Sequence, residues 1–174
     1  VLTDGGLFYG PNGVEWKRFH AQDGYGIRRA QEAGLHVGIV SGRVADAVTA
    51  RARELRITEC HQGIEDKLGV LPDLRRRLGC EAAEVAYMGD DLFDIPLLHA
   101  VGLSAAPADA RPEVRRMAGV VTRARCGNGA AREFLELLLG HRRAAAGGGR
   151  RAVTRRDGTA RRTAHGRQAG GRNA

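Results

Sequence analysis

The stretch EVAYMGDDLFDIPLL, residues 84–98, decides the fold. Its first half is apolar enough for a buried strand and stops at Gly89, where the carboxylates of Asp90, Asp91 and Asp94 begin. LFDIPLLHAV then reads as a helix, so the unit is strand, acidic loop, helix. Adjacent carboxylates at a strand end repel one another unless a cation or a basic group is present. Oxygen ligands suit a hard cation, Mg²⁺ foremost, which also recruits substrate phosphate. The plainer alternative is that Asp91 caps the following helix and Asp90 is solvated.

The same alternation runs through the chain on both sides. LHVGIV reads as a buried strand, VADAVTARAREL as a helix, TECHQG as a short strand, and DKLGVLPDLRRRLG as a helix that Pro72 bends or interrupts. GLSAAP and GVVT are further short strands around the helical ARPEVRRMA, and GNGAAREFLELLLG is a last helix with a strong apolar face. Upstream, GYGIRRAQEAG is a helix closed by Gly34, and GLFYGPNGVEWKRFH has two β-rich arms around Pro11-Asn12-Gly13, a hairpin signal. Strands alternating with helices predict an α/β fold, a Rossmann-like parallel sheet with helices on both faces, carrying a small β-hairpin. Ligands in such sheets bind beyond the carboxyl ends of the strands.

Two other strand ends carry chemistry. LHVGIV runs into Ser41-Gly42-Arg43, a hydroxyl, a close-approach glycine and a guanidinium, which suit a phosphate. The same trio also makes an ordinary strand-to-helix turn with Ser41 as a helix cap. Lys67 follows TECHQG at the start of a predicted helix, where the helix dipole disfavours a cation. An anion held nearby would explain it; a solvated surface lysine is the alternative.

The formal charge of +8 does not describe the domain. Ten arginines and a single acid, Asp157, lie at or after His141, which leaves 18 basic and 19 acidic groups in residues 1–140. That arginine-, glycine- and alanine-rich tail, 141–174, has almost no large apolar residue and is expected to be disordered. It lacks the interleaved aromatics that stack on bases, which argues against nucleic acid as a partner. No apolar run reaches membrane-span length. Cys60, Cys80 and Cys126 show no CxxC spacing, so reduced thiols are expected.

In order, Ser-Gly-Arg, then Lys67, then Gly-Asp-Asp-x-x-Asp resembles motifs two to four of the haloacid dehalogenase superfamily of phosphotransferases. The opening VLTDGGLFYGPNGVEWKRFHAQDGYGIRRAQEAGLHVGIVSGR is similar to that of its 3-deoxy-D-manno-octulosonate 8-phosphate phosphatase branch, which has no large cap. The likeness continues through HQGIEDKL, VAYMGDDLFDIPLL, VGLSAAPADARPEV and VTRARCGNGAAREFLELLL, covering residues 1–139. It implies a cytoplasmic, Mg²⁺-dependent hydrolase of a sugar-acid phosphate, supplying a lipopolysaccharide precursor. It also implies a homotetramer in which hairpin arms 7–19 pack between subunits and a neighbour helps close each site.

Residue by residue, the resemblance makes Asp90 the Mg²⁺ ligand with Asp91 and Asp94 in support. Ser41 becomes the phosphoryl-binding hydroxyl, and Lys67 the group that neutralises the nucleophile and the phosphoryl. His20, Ala21, Gln22, Asp23, Gly24, Arg28, Arg43 and Arg51 fall on substrate-contact positions. Arg43 and Arg51, eight apart, would share one side of a helix and face an anion, or else be two solvated arginines. Asp23-Gly24 could equally cap the helix that follows, with Arg28 on its outer face.

The branch carries its nucleophile and its acid/base in a D-x-D-G motif directly before V-L-[ST]-D-G. No D-x-D-G occurs in these 174 residues. The expectation is therefore a fragment lacking the first core strand, with the phosphatase domain over 1–140, inactive as it stands. Asp4 does not stand in for the motif; it is expected to cap or orient its loop. Two alternatives remain: a phosphatase of a nine-carbon, sialic-acid-type sugar phosphate, and an inactive assembly module.

Overall fold

The structure, a computed structural model, describes residues 1–148. A short antiparallel hairpin, β1 (Phe8–Tyr9) and β2 (Glu15–Trp16), opens the chain with Phe8 opposite Trp16. Its turn is the expected Pro11-Asn12-Gly13. Helix α1 (Ala21–Glu32) leads to β3 (Gly38–Val40), then α2 (Asp46–Glu54) to β4 (Glu59–His61). After α3 (Leu71–Leu78) come β5 (Ala86–Met88), α4 (Ile95–Ala100), β6 (Leu103–Ala106), α5 (Pro112–Met117) and β7 (Val120–Val121). Helix α6 (Ala130–Gly148) closes the described chain.

All core pairing is parallel, as the alternation predicts, but it falls into two sheets: β3 with β4, and β5-β6-β7. No described strand joins β3 to β5, so each keeps one edge without a strand partner among the described residues.

Each sheet has its own core. Ile27 of α1 meets Ala52 of α2 and, just after that helix, Leu55 and Ile57, with Val37, Ile39, Cys60 and Leu135 packed around them. On the other sheet Leu98, Ala106, Ala110 and Val114 cluster with Tyr87, Ile95 and Met117. Small residues set the spacing: a Cβ on Gly26 of α1 would lie 3.0 Å from the Arg132 Cα of α6, so the two helices pack almost backbone to backbone. The stretch read as one helix is divided beside Pro72, as expected. Pro72 sits in the first turn of α3, where its missing N–H costs nothing, after a separate 3₁₀ turn over Leu68–Val70.

Helix α6 runs past Gly140 to Gly148, so the helical part extends beyond the boundary at residue 140. The rest of the arginine-rich tail lies outside the described residues. Among the described residues no helix is long and apolar enough to cross a membrane, and Cys60, Cys80 and Cys126 are unpaired.

Candidate active site

Lys67 joins the two sheets. It leaves the loop after β4, and its Nζ donates to Asp94 Oδ1 at 2.5 Å in the loop after β5. Lys67 is 7 % exposed and Asp94 1 %, so the solvated-lysine alternative fails. The anion that excuses a lysine at a helix start is the protein's own carboxylate.

Asp94 is the pin of the acidic loop. Besides Lys67, its Oδ1 accepts the Tyr87 hydroxyl at 2.6 Å, while Oδ2 accepts the amides of Asp90 and Asp91 at 2.9 and 3.0 Å. Burial alone would raise the Asp94 pKa; the hydrogen bonds from Lys67, Tyr87 and the Asp91 amide outweigh it and hold the carboxyl below its ordinary value. With both oxygens committed, Asp94 supports the site from behind. Asp91 accepts the Leu92 amide at 2.7 Å and caps the 3₁₀ turn Leu92–Asp94, as the capping alternative has it. Gly89 lets this happen, because a Cβ there would stand 2.5 Å from Asp94 Cβ.

Asp90 is left half-exposed at the carboxyl end of β5. Its main-chain oxygen accepts the Arg111 amide at 2.9 Å, and its Oδ1 lies 3.2 Å from the Val1 nitrogen. No group of three or more His, Cys, Asp or Glu among the described residues can encircle a metal. What fits Mg²⁺ is one hard carboxylate at a strand end, since this ion keeps several waters and takes substrate phosphate oxygens.

Ser41 lies at the end of β3, where its amide donates to the His61 carbonyl and its own carbonyl accepts the Ile64 amide, at 2.8 and 3.0 Å. The loops after β3 and β4 are thereby tied together. Ser41 does not cap α2, which begins at Asp46 with its neighbouring Ala45 amide bound to Gln62 Oε1 at 2.9 Å. Instead its hydroxyl closes a local turn, 3.2 Å from the Arg43 amide and 3.0 Å from the Arg43 carbonyl.

The arginines part company. Arg43 precedes α2, so it shares no helical side with Arg51, and the eight-residue spacing misleads because the helix starts three residues after Arg43. Its guanidinium pairs with Glu15 of the hairpin at 2.7 Å, a hydrogen bond that raises its pKa. Arg51 reaches the His20 carbonyl at 3.4 Å, the Glu54 carboxylate at 2.8 Å and the Phe19 ring at 5.8 Å.

Asp23 is not a cap of the helix that follows, since it lies inside α1. Its buried carboxylate accepts the Gly129 and Arg132 amides at 3.1 and 2.8 Å and caps α6 from across the domain. His20, Asp23, Gly24 and Arg51 thus meet in a packed seam with Leu2, Phe19, Ile27 and Leu55. Buried His20 Nδ1 has no hydrogen-bond partner among the described residues. Ala21 and Gln22 lie instead on the rim of a separate open cleft of about 500 Å³ with Tyr25, Arg132 and Glu136. Arg28 is half-buried on α1. Asp4 orients its loop, as expected: Oδ1 accepts the Gly6 amide and Oδ2 pairs with Arg18 on the hairpin's return arm, both at 3.0 Å.

Two residues of the site escape the sequence reading. Tyr87 is a polar aromatic in a buried strand two residues before Gly89, a usable signal because a buried phenol needs a partner. Phe93, with its ring centroid 4.6 Å from Lys67 Nζ, has no such signal.

Residues 60–134 match the model of a family described as haloacid dehalogenase-like hydrolase. The 3-deoxy-D-manno-octulosonate 8-phosphate phosphatase KdsC of Escherichia coli is 46% identical over 139 residues, 80% of this chain and 74% of the relative. The crystal structure of the phosphatase of that name from Yersinia pestis has a TM-score of 0.81 at 42% identity, covering 84% of this chain and 80% of the other. The Moraxella catarrhalis phosphatase, solved in complex with magnesium ion, phosphate ion and KDO, has a TM-score of 0.80 at 35% identity, covering 84% of each.

Proposed function

The chain belongs to the 3-deoxy-D-manno-octulosonate 8-phosphate phosphatase family of haloacid dehalogenase-like hydrolases, and from that membership we propose that its site serves hydrolysis of this sugar-acid phosphate. The observation that carries the reading is the buried Lys67–Asp94 pair, which fixes an ammonium beside the carboxyl end of β5. In this reading the Lys67 ammonium has two further N–H groups for phosphoryl oxygens, and Ser41, on the tied loops after β3 and β4, would turn its hydroxyl from the Arg43 carbonyl to a third. Asp90 would hold Mg²⁺, which when bound would offset the charge that develops on the phosphoryl oxygens.

The chemistry is a displacement through an aspartyl-phosphate. Its nucleophile and acid/base belong to the family's D-x-D-G motif, which the 174 residues do not contain. The residues that are present bind and orient: Lys67 and Ser41 take the phosphoryl group, and Asp94 and Tyr87 hold Lys67 and the Asp90 loop in place. Lys67 lowers the barrier by meeting charge that a solvated lysine would reach only after reorganising.

The hairpin supplies the assembly half of the proposal. Leu7, Phe8, Tyr9, Val14 and Trp16 are exposed there, more apolar surface than a short arm carries without a partner. We assign this arm to subunit contacts in a homotetramer, and the enzyme to the cytoplasm with its charged substrate. Phosphate release from the eight-carbon substrate and from a nine-carbon analogue, compared with Mg²⁺ on one preparation carrying the D-x-D-G strand, tests the assignment. Preference for the nine-carbon compound overturns it.

A further inference from the structure

Phe93 stands between the two carboxylates that shape the acidic loop, and its direction is set by them. Asp91 caps the turn Leu92–Asp94 from in front, and Asp94 closes it from behind through the Asp91 amide. Held this way, the Phe93 ring lies over the Lys67 ammonium at 4.6 Å, within cation–π range, while the residue as a whole is 57 % exposed. A large apolar side chain so exposed gains little by burial, so its stacking on a buried cation asks for a reason.

Lys67 supplies one. An ammonium has three N–H donors, and a single hydrogen bond, to Asp94, anchors it here. A four-carbon stem with one anchor leaves the head free to swing toward water. The ring closes that side without taking a donor. An aromatic face attracts a cation and offers no hydrogen-bond acceptor, so the remaining N–H groups stay available to an incoming oxyanion.

We propose that Phe93 is a positioning residue for phosphoryl binding, holding the Lys67 ammonium against Asp94 with two donors free. The inference rests on the reading of Lys67 as the phosphoryl-binding cation. Phe93 itself touches the lysine and is assigned no contact with the reacting atoms.

Titrating inorganic phosphate calorimetrically into the full 174-residue chain with Mg²⁺ tests it. Phe93→Leu keeps an apolar side chain but no π face, and is expected to weaken phosphate binding by about 5- to 20-fold. Phe93→Tyr restores binding to within about 2-fold, because the ring face is retained. On a Lys67→Met background the change to leucine has no further effect. Wild-type affinity in Phe93→Leu, or the same loss with Lys67 already removed, overturns the proposal.

A second readout separates this idea from the phosphate assignment. A ring stacked on the lysine shifts the Lys67 ε-methylene proton resonances upfield, and Phe93→Leu abolishes that shift. If the wild-type chain binds no phosphate, the reading of the site fails while the resonance still reports on the stacking. No upfield shift in the wild type overturns the stacking itself.

Discussion

Lys67 and Asp94 lie 27 residues apart and form a buried ion pair at 2.5 Å that bridges the loops after β4 and β5. The pair is one junction between two sheets that no described strand connects. Asp94→Asn leaves a buried ammonium without its counter-charge, and is expected to cost about 3–5 kcal/mol. Urea unfolding of the variant against the wild type measures this, and an unchanged midpoint contradicts it.

Acid weakens the same junction. The folded Asp94 pKa lies below its ordinary value of 3.8, so its contribution is fully present above that value and is lost as pH falls through the lower folded pKa. Unfolding midpoints measured from pH 6 down to pH 2 are expected to fall at the acid end in the wild type, and less steeply in Asp94→Asn. Parallel curves for the two proteins count against the account.

Gly89 sets how closely the strand end approaches its pin. Gly89→Ala places a Cβ 2.5 Å from Asp94 Cβ, and overpacking of this kind costs about 1–3 kcal/mol. The displaced Asp90 should also bind Mg²⁺ less well than in the wild type. Calorimetric titration with Mg²⁺ at a temperature where both proteins are folded checks the second effect apart from the first.

Asp23 is expected to act through α6. Asp23→Ala removes the acceptor of the Gly129 and Arg132 amides, at a cost of about 1–2 kcal/mol. Asp23→Asn keeps one side-chain oxygen and loses less. Thermal melts that rank wild type, asparagine and alanine in that order support a capping role, and identical melts refute it.

The exposed arm makes an assembly prediction. Phe8→Glu with Trp16→Glu puts charge on the antiparallel pair of β1 and β2 without touching either core. Sedimentation velocity is expected to show the proposed tetramer giving way to smaller species. A tetramer that survives both changes excludes the hairpin as its contact.

Element types were legible because the core strands are short runs, three of them ending in chemistry, and the helices between them have a turn-length apolar repeat. Periodicity says which residues form a strand and nothing about which strands meet, so the division into two sheets was out of reach. The carboxylates of residues 90–94 were visible as a group, but their division of labour was not. Asp94 turns inward because Tyr87 and Lys67 reach it from elsewhere in the chain, and such partners leave no mark on local spacing. Asp23 shows the same limit: it pairs with amides more than 100 residues away, although its neighbours read as a local cap. Arg43 was misplaced for a simpler reason, since α2 begins three residues after it and the shared face is lost.

The most direct test joins a D-x-D-G strand to Val1 and measures phosphate released from 3-deoxy-D-manno-octulosonate 8-phosphate. The account predicts release that requires Mg²⁺ and is lost in Asp90→Asn and in Lys67→Ala. A folded protein that releases no phosphate, or one whose release is indifferent to Lys67, contradicts it.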